Sequence, residues 1–88
     1  MSVRLLYFSW VRERIGLDGE ELSLADLTAH STDVAGLIRL LSGRSPGHAA
    51  AFADPSRLRV AINQQYCGFD ARVGDGDEVA FFPPVTGG

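Results

Sequence analysis

Apolar and polar positions alternate in short blocks along this chain. Residues 3–8 read Val3-Arg4-Leu5-Leu6-Tyr7-Phe8, with no Gly or Pro. A strand here sets Val3, Leu5 and Tyr7 on one face and Arg4, Leu6 and Phe8 on the other. Ser9 can cap a short helix from Trp10 to Ile15, closed by Gly16, because glycine takes the left-handed geometry of a helix end without a Cβ penalty. Asp18-Gly19 is a turn pair of the hairpin type, and Glu20 to Leu24 alternates again after it. The period then changes. Val34, Leu37, Ile38 and Leu41 fall at i, i+3, i+4 and i+7, behind Asp33 as a good N-cap and ahead of Gly43 as a C-cap. Gly36 inside this helix costs up to about 1 kcal/mol relative to Ala, so the helix depends on packing more than on propensity.

Residues 44–57 are rich in Gly, Ser, Pro and Ala and read as a connection with at most one helical turn, around His48 to Phe52. From Leu58 to Asn63 the alternation returns, with Leu58, Val60 and Ile62 set against Arg59, Ala61 and Asn63, as in a strand with one buried face. Gly74 to Asp77 is a tight turn, and Val79 to Phe82 is a last strand. The order strand, short helix, strand, long helix, strand, strand predicts an α+β domain. A small mixed sheet packed on one main helix is the β-grasp arrangement of ubiquitin. The predicted domain spans residues 1–82, with residues 83–88 as a flexible C-terminal tail.

Composition narrows the chemistry. Eighty-eight residues suffice for one small core and no second domain. A formal net charge of -3 repels phosphate backbones, so nucleic acid is not an expected partner. All eight basic residues are arginines (4, 12, 14, 39, 44, 57, 59 and 72), so the chain cannot form lysine-linked polymers of itself. The lone Cys67 excludes an internal disulfide framework and a thiolate-built metal site, and fits a small buried hydrophobe better than a persulfide carrier. No segment approaches the roughly 20 apolar residues of a membrane helix, and the first apolar run is too short for a signal-peptide core. The expectation is a cytoplasmic protein with no membrane partner. His30 and His48 lie in loop-like stretches and are expected to face solvent. Asp75, Asp77 and Glu78 lack the spacing of an EF-hand loop, so no metal is expected. Gly74-Asp75-Gly76 is not a phosphate loop, having neither its spacing nor a lysine.

The densest chemical information lies in Phe81-Phe82-Pro83-Pro84-Val85-Thr86-Gly87-Gly88. Pro83 and Pro84 cannot donate to a sheet ladder and favour extended geometry, so they stop the strand and direct the chain away from the body. Gly87 and Gly88 have no side chains, which makes this end thin enough to enter a narrow channel and approach a ligand through its backbone. A carboxylate is a poor electrophile in water, but adenylation by ATP activates it toward a sulfur donor. No internal side chain is needed for that reaction.

The stretch 75–88, Asp-Gly-Asp-Glu-Val-Ala-Phe-Phe-Pro-Pro-Val-Thr-Gly-Gly, resembles the C-terminal signature of the molybdopterin synthase small-subunit family. Residues 5–13 resemble that family's first strand and short helix, and residues 59–64 its third strand. The resemblance implies a ubiquitin-like sulfur carrier with no bound cofactor and no self-contained catalytic site, acting as the sulfur-donating part of a sulfurtransferase. A ubiquitin-activating-type adenylyltransferase would charge Gly88 using ATP, and a sulfurtransferase would supply sulfur. The thiocarboxylate at Gly88, beside Gly87, would then give sulfur to cyclic pyranopterin monophosphate inside the large synthase subunit, in molybdenum cofactor biosynthesis. The assembly implied is a heterotetramer. Positions of partner contact in the family match Phe8, Arg12, Tyr66 and Phe82, and Pro83, Pro84, Val85 and Thr86 would enter the partner. Strand parity points the same way for two of these: Phe8 and Phe82 fall on the outward face if Tyr7 and Phe81 point inward. Competing readings are a sulfur carrier for thiamine thiazole synthesis, a ubiquitin-like protein-conjugating modifier, and a binding module with no tail chemistry.

Overall fold

The computed structural model describes residues 1–28 and 32–84. Their order is β1 (Ser2–Tyr7), α1 (Ser9–Ile15), β2 (Gly19–Ser23), α2 (Leu24–Thr28), α3 (Val34–Ser42), α4 (Pro46–Ala51), a 3-10 turn (Pro55–Arg57), β3 (Arg59–Ile62), β4 (Gln65–Cys67) and β5 (Glu78–Phe82). The strands form one mixed sheet in the order β2-β1-β5-β3-β4, with β1 and β5 parallel and the other pairs antiparallel. The helices cover one face, so apolar residues on one strand parity are buried. Val3, Leu5, Tyr7, Val79 and Phe81 are all at most 1% exposed, and they pack with Val34, Leu37, Ile38 and Leu41 of α3. This is the predicted β-grasp.

The start of α3 is satisfied from two sources. Asp33 accepts from the Gly36 amide at 2.8 Å, while the amides of Val34 and Ala35 donate to the carbonyls of Ala71 and Phe69. A helix opens with amide groups that have no partner inside it, and here the segment before β5 supplies the missing acceptors. The helix is thereby fixed to the sheet's return path at the end where its stripe begins.

Several sequence expectations are corrected. Residues 44–57 hold more structure than one turn, because Ser45 caps α4 with Pro46 at its first position and Asp54 caps the 3-10 turn through the Ser56 amide. His48 is 6% exposed rather than solvent-facing; His30 lies outside the described residues. The helix cap is Phe8 rather than Ser9, and it makes no side-chain cap bond. Because the Phe8 amide is held by the Phe81 carbonyl, the chain leaves the sheet only at Ser9, at a left-handed φ of 56°. Gly16 does take the left-handed C-cap, at φ 88°, and Gly43 is the C-cap of α3 as expected, at a right-handed φ of -89°. Asp18-Gly19 is not a hairpin turn; Gly19 is the first residue of β2, and a Cβ there would run into the Leu5 carbonyl. The sequence reading also missed α2 and β4. β4 follows a two-residue turn, Asn63-Gln64, with φ values of 50° and 70°, the twist that joins right-handed strands closely.

Candidate functional site

Outward from the helices, the sheet carries a second, smaller apolar surface. Leu6 on β1, Ala80 and Phe82 on β5 and Tyr66 on β4 share this side, and Phe8 extends it beyond β1. Together with Gln64 and Glu78 they line a shallow depression of about 340 Å³. Register explains why it is shallow but not flat. Ala61 pairs with Ala80 across β3 and β5 and with Tyr66 across β3 and β4, so small side chains lie between aromatic ones. Phe8 is 47% exposed and Tyr66 79% exposed, although both are large and apolar. The rings of Tyr66 and Phe82 lie 5.5 Å apart, and a second hollow of about 190 Å³, lined by Arg59, Val60 and Cys67, flanks that pair. Exposed aromatics gathered on a polar-rimmed face are what a protein partner buries.

β5 aims this face at the tail. Its last residue, Phe82, pairs with Arg59 on one side, and the Phe8 amide binds the Phe81 carbonyl on the other. Pro83 and Pro84 follow outside any regular element and are half-buried. Arg12, exposed on α1, lies 3.8 Å from Asp18. Thus Phe8, Tyr66 and Phe82 share one depression, Pro83 and Pro84 follow Phe82 directly along the chain, and Arg12 lies one helical turn beyond Phe8. Val85, Thr86, Gly87 and Gly88 lie outside the described residues. Sequence reasoning missed Leu6, Gln64, Glu78 and Ala80. Counting back by twos from Phe8 and Phe82 reaches Leu6, Ala80 and Glu78, whereas Gln64 depends on the hairpin that was not read.

Beneath the sheet sits a polar cluster of a different kind. Glu20 Oε2 accepts from the Tyr7 hydroxyl at 2.8 Å and lies 2.7 Å from His48 Nε2; His48 Nδ1 in turn lies 2.7 Å from Ser45 Oγ. Arg44 approaches the other carboxylate oxygen at 3.8 Å. Burial by itself would push the Glu20 carboxyl up, but the hydrogen bonds from His48 and Tyr7, with the charges of His48 and Arg44, hold it below its usual range. Burial, and then the Glu20 carboxylate, keep the Tyr7 hydroxyl protonated well above the ordinary tyrosine range. Glu20 on β2 is met by Tyr7 from β1 and by His48 from α4, so the cluster ties α4 to β1 and β2. Cys67 is half-buried, and burial raises its thiol above the usual range, away from the reactive thiolate. Among the described residues, no group of three or more His, Cys, Asp and Glu side chains is placed to hold a metal ion, and no helix is long and apolar enough to cross a membrane.

Fold and surface together define a β-grasp domain of the ubiquitin-like kind, with its unsatisfied apolar area on the open sheet face and its C-terminal strand leading off that face. The model of the ThiS family matches residues 5–88. The molybdopterin synthase sulfur carrier subunit of Escherichia coli (strain K12) is 41% identical over 86 residues, covering 98% of this chain and 99% of that one. Two solved structures share the fold at lower identity. They are H. volcanii small archaeal modifier protein 1 (TM-score 0.73, 20% identity, 96% of this chain and 98% of that one) and a chain of the complex of subunits 1 and 2 of molybdopterin-converting factor from Helicobacter pylori 26695 (TM-score 0.64, 20% identity, all of both chains). The chain belongs to the ThiS family, among the molybdopterin synthase sulfur carrier subunits.

Proposed function

We propose that sulfur is carried on the C-terminal carboxyl of Gly88, and that the outer sheet face holds the partner while the tail reaches its reaction site. ATP converts the carboxylate to an acyl-adenylate with release of pyrophosphate, on a partner adenylyltransferase. A sulfide equivalent from a sulfurtransferase then attacks the acyl carbon, the bond to AMP breaks, and a thiocarboxylate remains. Inside the large synthase subunit the thiocarboxylate sulfur attacks a carbon of cyclic pyranopterin monophosphate, and water then cleaves the bond between that sulfur and the acyl carbon of Gly88, which leaves the sulfur on the pterin and returns Gly88 to a carboxylate. No cofactor is bound by this chain in the cycle, and the small subunit contributes the sulfur nucleophile rather than an internal catalytic group.

One observation carries this reading: the surface of the exposed Phe8 and Tyr66 and the half-buried Phe82 runs directly into the strand whose continuation is Pro-Pro-Val-Thr-Gly-Gly. A partner that covers the face is thereby positioned to receive the tail. The complex of subunits 1 and 2 of molybdopterin-converting factor in the Helicobacter pylori structure offers the precedent for a two-subunit assembly. Incubation with the cognate adenylyltransferase, ATP and a sulfur source should replace one oxygen by sulfur in the C-terminal peptide, read by intact mass. Deleting Gly88 should abolish sulfur transfer to the pterin precursor, and transfer that persists after the deletion would overturn the proposal.

A further inference from the structure

The end of β5 has a second flank, on the helix side, that the aromatic face does not use. β1 runs parallel to β5, so the chain after Tyr7 rises beside Phe82 into α1 and brings Trp10 there. β3 runs antiparallel, so the residues before Arg59, including Arg57, lie beside the same exit. The two meet. The Arg14 guanidinium carbon stands 4.5 Å from the centroid of the Trp10 ring, and that of Arg57 stands 5.8 Å from it. Trp10 is partly buried against the core, while both arginines are exposed.

This arrangement leaves two guanidinium groups held but uncommitted. Stacking on an aromatic ring uses the guanidinium face and leaves its in-plane N–H groups free for a carboxylate. Among the described residues neither Arg14 nor Arg57 forms an ion pair. Of the nearby acids, the Asp54 carboxylate is occupied by the Ser56 amide and hydroxyl, Asp18 faces Arg12, and Glu13 is exposed on α1. Along β5, Asp75, Asp77 and Glu78 precede or open the strand, with Arg4 opposite Glu78, whereas Arg57 and Arg59 flank its end, in a chain whose net charge is -3.

Resting on the carrier reading above, we infer that Trp10, Arg14 and Arg57 form a cationic collar that docks on clustered Asp and Glu side chains bordering the channel through which the large subunit receives the tail. A fully extended tail of residues 83–88 reaches about 20 Å, so a collar at its root can meet the rim of a channel while the carboxyl reacts inside it, and its role is in docking. The tryptophan stack pre-orders two long side chains before contact, which reduces the ordering cost of association. Placed at the exit, their charge orients the domain tail-first toward an acidic partner.

The test measures association of the full chain with its cognate large subunit by stopped flow, at low and high salt. The double variant Arg14→Glu/Arg57→Glu should lower the association rate at least tenfold at low ionic strength, with the gap closing at high salt, and should leave the domain folded by circular dichroism with a modest loss of thermal stability from the lost contacts to Trp10. Arg14→Lys/Arg57→Lys should retain most of the rate, since net charge is kept. Wild-type association in the Glu variant would overturn the collar while leaving the carrier reading intact, because thiocarboxylation at Gly88 is measured separately by mass. A single-stranded oligonucleotide bound by the wild type and released by the Glu variant would overturn it in favour of a nucleic-acid surface.

Discussion

Phe81 and Phe82 are the same side chain one residue apart, in opposite surroundings. Phe81 is wholly buried, with its ring centroid 5.0 Å from that of Phe52 and 6.4 Å from that of Tyr7. Phe82 lies on the open side against Tyr66. Helices cover only one face of the sheet, so period-two alternation separates the residues that hold the domain together from those free to meet a partner. The inner face is completed by the chain's own helices; the outer face is left with exposed aromatics.

That contrast can be broken most severely from the inner side. Phe81→Ala removes a ring from the centre of the core and should cost about 3–5 kcal/mol of unfolding free energy, measured by urea denaturation. A loss below about 1 kcal/mol would mean that the inner face does not carry stability in the way described. Phe82→Arg should do the reverse. It should weaken large-subunit binding at least tenfold by calorimetry, an effect of about 1.4 kcal/mol or more, and leave the urea midpoint nearly in place.

The polar cluster under the inner face gives a subtler test. The folded Glu20 carboxyl titrates below its ordinary value of 4.5. Its contribution is therefore present above that value and is lost as pH falls through the lower folded one. Glu20→Gln should cost about 1–2 kcal/mol at neutral pH and flatten the loss of stability measured between neutral pH and pH 3. An unchanged acid profile would remove Glu20 from the account. The smallest effect is expected at Cys67, whose thiol is kept protonated by burial: Cys67→Ser should support sulfur transfer at an unchanged rate, and a transfer rate lowered tenfold would show that the thiol participates.

Legibility differed between the parts of the molecule for physical reasons. The parity of β1 and β5 and the stripe of α3 were readable because burial on one side imposes a period, and each such residue named from the sequence is buried. The Asp33 cap and the Gly16 end were readable because each is a local geometric need met by one side chain or by its absence. β4 was missed because Asn63-Gln64 lacks the glycine that usually announces a two-residue turn; Asn63 is held instead by long-range bonds, its side chain donating to Asp77 and accepting from the Glu78 amide. His48 was misjudged because nothing near it in sequence reveals Glu20, 28 residues away.

Gly47 shows the same limit from another direction. It sits in a stretch that reads as loose connection, yet a Cβ there would run into the Arg14 carbonyl, because α4 packs directly on the end of α1. The sequence by itself determined which faces are apolar, where the main helix begins and that a Pro-Pro pair follows the last strand, since these depend on neighbours a few residues apart. Only the tertiary structure decided which aromatics gather into one surface, which acid meets His48 and which arginines flank the exit of β5. Those depend on strand order and register, which bring together residues whose separation along the chain carries no local signal.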